Sequence, residues 1–268
     1  MRNAQTGKRF SFKLAALIAA IALVAAASGI SVFAAVRYAR LYSSELPAGF
    51  TATAHTGCVG TKDNSLESIR SGAECGADIV EFDLRFLKSG VPVLAHDDNF
   101  SDDAVTLREA FACAQKYTDL RFNVDLKDKN PNFLGGAVGI IEEFFGFPTD
   151  RVFFTGIESD DPCTEILRAN AIAFYLNPDI KYSERNSESV LNREISRALQ
   201  MGAVGINMKH TLSTRKSVEK FHNAGLKVSV FTPNSQWSMA RLIPLGVDNI
   251  TTKRPDRLAE IIERQRKS

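Results

Sequence analysis

Two periods of apolar and polar residues alternate along the chain from residue 50 onward. The first is a short β-branched or aromatic run of strand length: "TATAHTG", "DIVEFDLRF", "RFNVDLKD", "RVFFTGI", "AIAFYLN", "VGINMKH", "KVSVFTPN" and "DNITTKR". The second is a helical spacing of apolar residues, as in "SLESIRSGAECG", "TLREAFACAQKY", "CTEILRAN", "SESVLNREISRALQMG", "STRKSVEKFHNAG" and "SMARLIPLG". Several of these segments close on glycine just before the next strand, as a helix C-cap and a short connection require. One further run, "VPVLAHDD", follows the second strand across Ser89-Gly90 and reads as a hairpin extension of it. Eight parallel strands alternating with eight helices predict an α/β fold of the TIM (β/α)8 barrel type. An open doubly wound sheet would serve the same pattern, but no GxGxxG or P-loop opens any helix. The barrel is assigned to residues 50–268.

The first 49 residues follow a different pattern. Leu14 to Val36 is a run of 23 residues without a charge, long enough to cross about 30 Å of hydrocarbon. Four basic residues precede it and two follow, which places a basic tail at 1–13 in the cytoplasm, a transmembrane signal-anchor at 14–36 and a linker at 37–49. A cleaved signal peptide ending near Ala34 is the rival reading, disfavoured because its apolar core is usually only about 7–15 residues. Either way, the barrel faces outside the cytoplasm: it is held at the cell membrane by a single pass, or secreted after cleavage.

Charge and cysteine content narrow the partners. The net charge of +2 comes from the N-terminus, where residues 1–45 hold six basic residues against Glu45 alone. The remaining domain is weakly acidic and has no nucleic-acid footprint. Cys58, Cys75, Cys113 and Cys163 lack metal spacing; they read as small buried residues, in an even number that permits disulfides without requiring them.

Barrel chemistry is built at the C-terminal ends of strands, and the ionisable residues gather there. The first strand ends at His55. Glu81 and Asp83, two apart on the second strand, share a face that points into the barrel, while Val80 and Phe82 turn towards the helices. Asp125 and Lys127 repeat the spacing on the next barrel strand, and the hairpin ends in His96-Asp97. Singly, each group reads as a surface ion pair or a solvated edge. Together they put three carboxylates, two histidines and a lysine at one end of neighbouring strands. Such a cluster is costly to desolvate unless a cation neutralises it. Three carboxylates with no cysteine or histidine ligand spacing suit one hard divalent ion, Mg²⁺ or Ca²⁺.

The ordered motifs "AHTG", "DNS", "EFD", "GVPVLAHD", "DLK" and "GVDNITTKRP" resemble those of the glycerophosphodiester phosphodiesterase family, a branch of the barrel phosphodiesterases related to phosphatidylinositol phospholipase C. The resemblance spans residues 54 to about 258. It implies hydrolysis of a small-molecule glycerophosphodiester to glycerol 3-phosphate and an alcohol. His55 and His96 match the family's acid/base pair, Glu81 and Asp83 two metal ligands, and Lys127 a phosphate-binding lysine. Asp125 takes the place of a third, usually glutamate, ligand, and Asn64 matches a supporting asparagine. Thr56 stands where the family has an arginine, Lys253 where it commonly has an aspartate, and Phe231 where relatives often have tryptophan. The stretch 98–105 is short beside the insertion many relatives carry there, which leaves a more open mouth. Strands one and eight are neighbours in a closed barrel, so Lys253 is expected to supply part of the phosphate-binding charge that Thr56 cannot. Two other readings are a phospholipase D-like cleavage of lysophospholipid or phosphoglycerol envelope polymer, and a catalytically weakened ligand-binding barrel.

The apolar run and its flanking charges give a direct expectation. Expressed in a bacterium, the full-length protein stays in the membrane fraction and is degraded by protease added from outside. Recovery of a soluble mature protein beginning near Ala35 decides for the cleaved signal instead.

Overall fold

The computed structural model describes Ser28 and residues 45–266. The basic tail, the anchor apart from that one serine, and the linker up to residue 44 lie outside the described residues. Among the described residues no helix is long and apolar enough to cross a membrane.

Nine strands are described: β1 (Thr51–His55), β2 (Ile79–Phe86), β3 (Pro92–Leu94), β4 (Arg121–Leu126), β5 (Val152–Ile157), β6 (Ala173–Leu176), β7 (Gly205–Lys209), β8 (Lys227–Phe231) and β9 (Asn249–Thr252). All but β3 run parallel, each beside the next in sequence, and β1 pairs with both β2 and β9 to close the barrel. The short β3 pairs antiparallel with the end of β2, as the hairpin reading expects. Eight α-helices lie between and after the strands: α1 (Leu66–Glu74), α2 (Leu107–Ala114), α3 (Pro131–Phe145), α4 (Thr164–Ala169), α5 (Glu188–Met201), α6 (Arg215–Asn223), α7 (Gln236–Leu242) and α8 (Pro255–Arg266).

Local chemistry sets many of the helix starts. Reciprocal capping boxes open α1 (Ser65 with Ser68), α2 (Thr106 with Glu109) and α6 (Thr214 with Ser217), satisfying backbone N–H groups that lack helical partners. Asn130 caps α3, with Pro131 in its first turn. The strand–helix alternation alone calls for α3, whose own residues Gly135, Gly136 and Gly139 dilute the helical signal. Burial of Leu134, Ala137, Val138 and Ile141 along one face outweighs that propensity.

Apolar packing lies outside the barrel, between strands and helices. Val80, Phe82 and Leu84 of β2 and Phe122, Val124 and Leu126 of β4 are buried there. Phe111 of α2 meets Phe122 at 5.1 Å between ring centroids, and Phe145 of α3 at 4.9 Å, both edge-on. Inside the barrel the filling is polar instead. Thr53, Asn123, Thr155, Ser229, Asn249 and Thr251 are buried. Asn249 joins Thr53, Ser229 and Thr251 by hydrogen bonds of 2.8–3.2 Å, and Thr155 donates to Asn123 at 2.9 Å. Paired in this way, buried polar groups avoid the desolvation penalty of unmade hydrogen bonds.

Of the cysteines, only Cys163 is buried; Cys58, Cys75 and Cys113 are half-buried. The reading of all four as buried residues is corrected for those three. They lie on the helical layer and its connections, where one side of each residue meets solvent.

Phe111 touches rings on both flanking layers, so its removal opens a cavity that neither can fill. Phe111→Ala is expected to destabilise the barrel by about 3–5 kcal/mol, read from the shift of a urea unfolding curve.

Candidate active site

Strand register assembles the site. In the parallel ladders His55 of β1 lies beside Glu81 of β2, and Asp83 of β2 lies beside Asp125 of β4. Lateral neighbours in a sheet point to the same face, so these four side chains enter the barrel interior together at its C-terminal end. Glu81, Asp83 and Asp125 each offer a carboxylate oxygen, and these oxygens lie within 4.8 Å of one another. Glu81 and Asp83 are buried, and Asp125 is partly so.

The chain supplies several answers to the repulsion this creates. The Lys127 ammonium bridges Asp83 at 2.9 Å and Asp125 at 2.7 Å. Burial works against its charge, but Asp125 and then Asp83 overcome that and push its pKa up. His55 Nδ1 lies 3.2 Å from Glu81 Oε2. The Thr56 N–H donates to the same oxygen at 2.9 Å, from a residue whose φ of +48° bends the chain just after β1. Asn64 grips Asp83 twice, its side-chain N–H donating to Oδ2 at 2.8 Å and its oxygen accepting from the Asp83 backbone N–H at 3.0 Å. It does so from a left-handed backbone (φ +55°) that asparagine tolerates better than most residues.

These contacts move two proton affinities. Glu81 is raised above an ordinary carboxyl, by burial first and then by the charges of Asp83 and Asp125, with His55 opposing. His55 is raised as well. Burial opposes its protonation, but the Glu81 carboxylate, followed by Asp83, outweighs burial and the nearby Lys253 charge.

Two of the residues singled out in the sequence stand apart from this cluster. His96 follows β3, is largely exposed at 65 %, and has Nδ1 2.8 Å from Asp97 Oδ1. Its turn is tied to the site: the Ala95 N–H donates to the Asp83 carbonyl at 3.1 Å, and Arg85 Nε donates to the His96 carbonyl at 2.9 Å. Lys253, after β9, forms an ion pair with Asp63 in the β1–α1 connection.

The sequence reading missed Asp63, Arg85 and Gly156. Arg85 continues the inward series Glu81, Asp83 on β2, and that alternation was a usable signal. It sits between Asp98 and Asp128, 2.5 Å from a carboxylate oxygen of each. Gly156 falls inside β5 at φ +76°, and a Cβ there would stand 2.4 Å from Asp125 Oδ1. A glycine within a strand marks such a close approach.

A closed parallel barrel with a lysine-bridged carboxylate cluster at its strand ends has the layout of a TIM-barrel enzyme. The family model described as "Glycerophosphoryl diester phosphodiesterase family" matches residues 43–121 and 149–257. The chain belongs to this family and is a phosphoric diester hydrolase. The unmatched interval holds Asp125 and Lys127, so it is the structure that brings them to Glu81 and Asp83. The glycerophosphodiester phosphodiesterase of Caldanaerobacter subterraneus subsp. tengcongensis is 24 % identical over 235 residues, covering 75 % of this chain and 93 % of that protein. A solved glycerophosphodiester phosphodiesterase from Parabacteroides distasonis shares the fold with a TM-score of 0.69 at 19 % identity, covering 84 % of this chain and all of that one. An Oleispira antarctica phosphodiesterase, solved in complex with the product sn-glycerol-3-phosphate, does so at 0.67 and 20 % identity, covering 81 % and 97 %.

Because the raised folded-state pKa of His55 comes from Glu81, its stabilising contribution is full below about pH 6.5 and is lost as pH rises through the raised value. Proton NMR titration of the metal-free protein should show His55 with a midpoint above 6.5. In Glu81→Gln the burial remains and the attraction is gone, so that midpoint should drop below the wild-type value.

Proposed function

We propose that this chain hydrolyses glycerophosphodiesters to glycerol 3-phosphate and an alcohol, with a divalent cation and two histidines. The observation that carries the reading is the convergence of Glu81, Asp83 and Asp125 beside His55 and Lys127. The all-oxygen donor set fits Mg²⁺ or Ca²⁺, and Gly156 leaves room for Asp125 Oδ1, which a Cβ there would meet at 2.4 Å. Bound by those three carboxylates, the ion would polarise a phosphoryl oxygen and offset the charge of the diester.

The remaining work falls to the chain itself. Glu81 occupies His55 Nδ1, which leaves Nε2 as the nitrogen that exchanges a proton with the substrate. Asp97 occupies His96 Nδ1 in the same way, so both rings are anchored through one nitrogen and act through the other. One histidine takes the proton from the attacking oxygen and the other gives one to the leaving alkoxide, a division for which the two-nitrogen imidazole ring is suited. Lys127 holds a non-bridging phosphate oxygen with a point charge already fixed by Asp83 and Asp125. Asn64 keeps Asp83 aimed. Lys253 adds cationic field at the mouth, tempered by Asp63. The apolar run at 14–36 supports presentation of this site outside the cytoplasm, at the membrane surface.

The test uses the full-length protein in mild detergent, stripped with chelator and resupplied with Mg²⁺ or Ca²⁺. Glycerol 3-phosphate release from glycerophosphocholine should appear only on metal return. His55→Ala and His96→Ala should each lower turnover by about 10²–10⁴-fold. Faster cleavage of lysophosphatidylcholine than of glycerophosphocholine would move the assignment to lysophospholipids. Absence of turnover on either diester with both ions would overturn it.

A further inference from the structure

The β1–α1 connection lies flat on the helix it leads into. Gly57, at φ +101°, packs so tightly on α1 that a Cβ there would stand 2.5 Å from Ser68 Cβ. A Cβ on Gly72, one turn further along, would stand 3.7 Å from the Gly57 Cα. Cys58 is the next residue of the loop. Cys75 caps α1 on the same side, three residues after Gly72, its N–H donating to the Ser71 carbonyl at 2.9 Å. The backbone approach at Gly57 and Gly72 therefore brings two cysteines together, close enough for the Cys58 thiol to act on that of Cys75. Both are half-buried, so a small solute can reach them. The other two are engaged elsewhere: Cys113 donates to the Leu66 carbonyl at 3.7 Å, and buried Cys163 lies against Asp161. Burial, and after it the Cys58 contact, pushes the Cys75 thiol up to about 11, which disfavours its thiolate.

We propose that Cys58 and Cys75 are a disulfide site that fastens the active-site loop to the end of α1. The oxidant is a low-molecular-weight disulfide such as oxidised glutathione. The Cys58 thiolate attacks one of its sulfurs, forming a mixed disulfide and expelling one thiolate, which takes up a proton. Cys75 then loses its proton and attacks the Cys58 sulfur, expelling the second thiolate. Two protein thiols are oxidised and one external disulfide is reduced to two thiols. The tethered loop carries the Thr56 N–H that meets Glu81, Asp63 that meets Lys253, and Asn64 that grips Asp83. The cross-link thus acts as a positioning device for the carboxylate cluster. In an oxidising compartment it would persist.

The full-length protein, equilibrated with oxidised glutathione, alkylated and digested without reductant, should yield one peptide pair joined through Cys58 and Cys75. Cys113 should be recovered free of cross-links. Oxidation should raise the melting midpoint by about 6–12 °C, the range expected for closing a loop of this length in a domain of this size. That rise should vanish in Cys58→Ser and in Cys75→Ser. Recovery of both cysteines alkylated, or each carrying glutathione, would overturn the proposal. Peptide mapping of the unmutated chain decides this even if neither variant folds.

Discussion

Three carboxylates with oxygens within 4.8 Å of one another inside a closed barrel repel, and much of the site answers that repulsion. At an effective dielectric near 20, each pair of full charges about 4 Å apart costs roughly 4 kcal/mol, too much to leave uncompensated in a domain stabilised by about 5–15 kcal/mol. Lys127 meets two of the three, His55 and the Thr56 N–H meet the third, and Asn64 directs the one most deeply shared. Glu81 is raised accordingly, by burial first and then by the charges of Asp83 and Asp125. The same arrangement that resists folding is an all-oxygen donor set of the kind that hard divalent ions prefer.

Packing on the far side of the sheet holds this arrangement in place. His55 faces Glu81, and Asp83 faces Asp125, only in the observed register. A slip of one residue would turn each carboxylate towards the helices. It would also turn Val80, Phe82 and Leu84 into the polar interior, away from Phe111 and its neighbours. The apolar layer outside the barrel therefore enforces the chemistry within it, through β-strands only five to eight residues long.

Much of this is legible in the order of residues. Period-two runs expose the strands, glycine ends mark the helices, and Glu81, Asp83 and Asp125 announce an inward face by spacing alone. What stayed hidden depends on partners far away in sequence. Lys253 meets Asp63 across 190 positions, and no local pattern joins them. The alternation on β2 points Arg85 inward, but its partners Asp98 and Asp128 emerge only in the fold. The helix α3 is diluted by glycines and forms because its apolar face has somewhere to pack. For His96, the sequence gives the hairpin end but not the outward pairing with Asp97.

The register of β1, β2 and β4 has an evolutionary consequence. Every carboxylate of the cluster, both histidines and Lys127 lie between residues 55 and 127, within the first half of the barrel. The strands from β5 to β9 close the wall, and the loops after β5 to β8 share the same rim without holding any of those groups. Those loops can lengthen, shorten or change character under selection while the reactive half stays fixed. The fold thus separates an inheritance of chemistry from a freedom of taste, and diversification among descendants of such a chain would be written on one side of its rim.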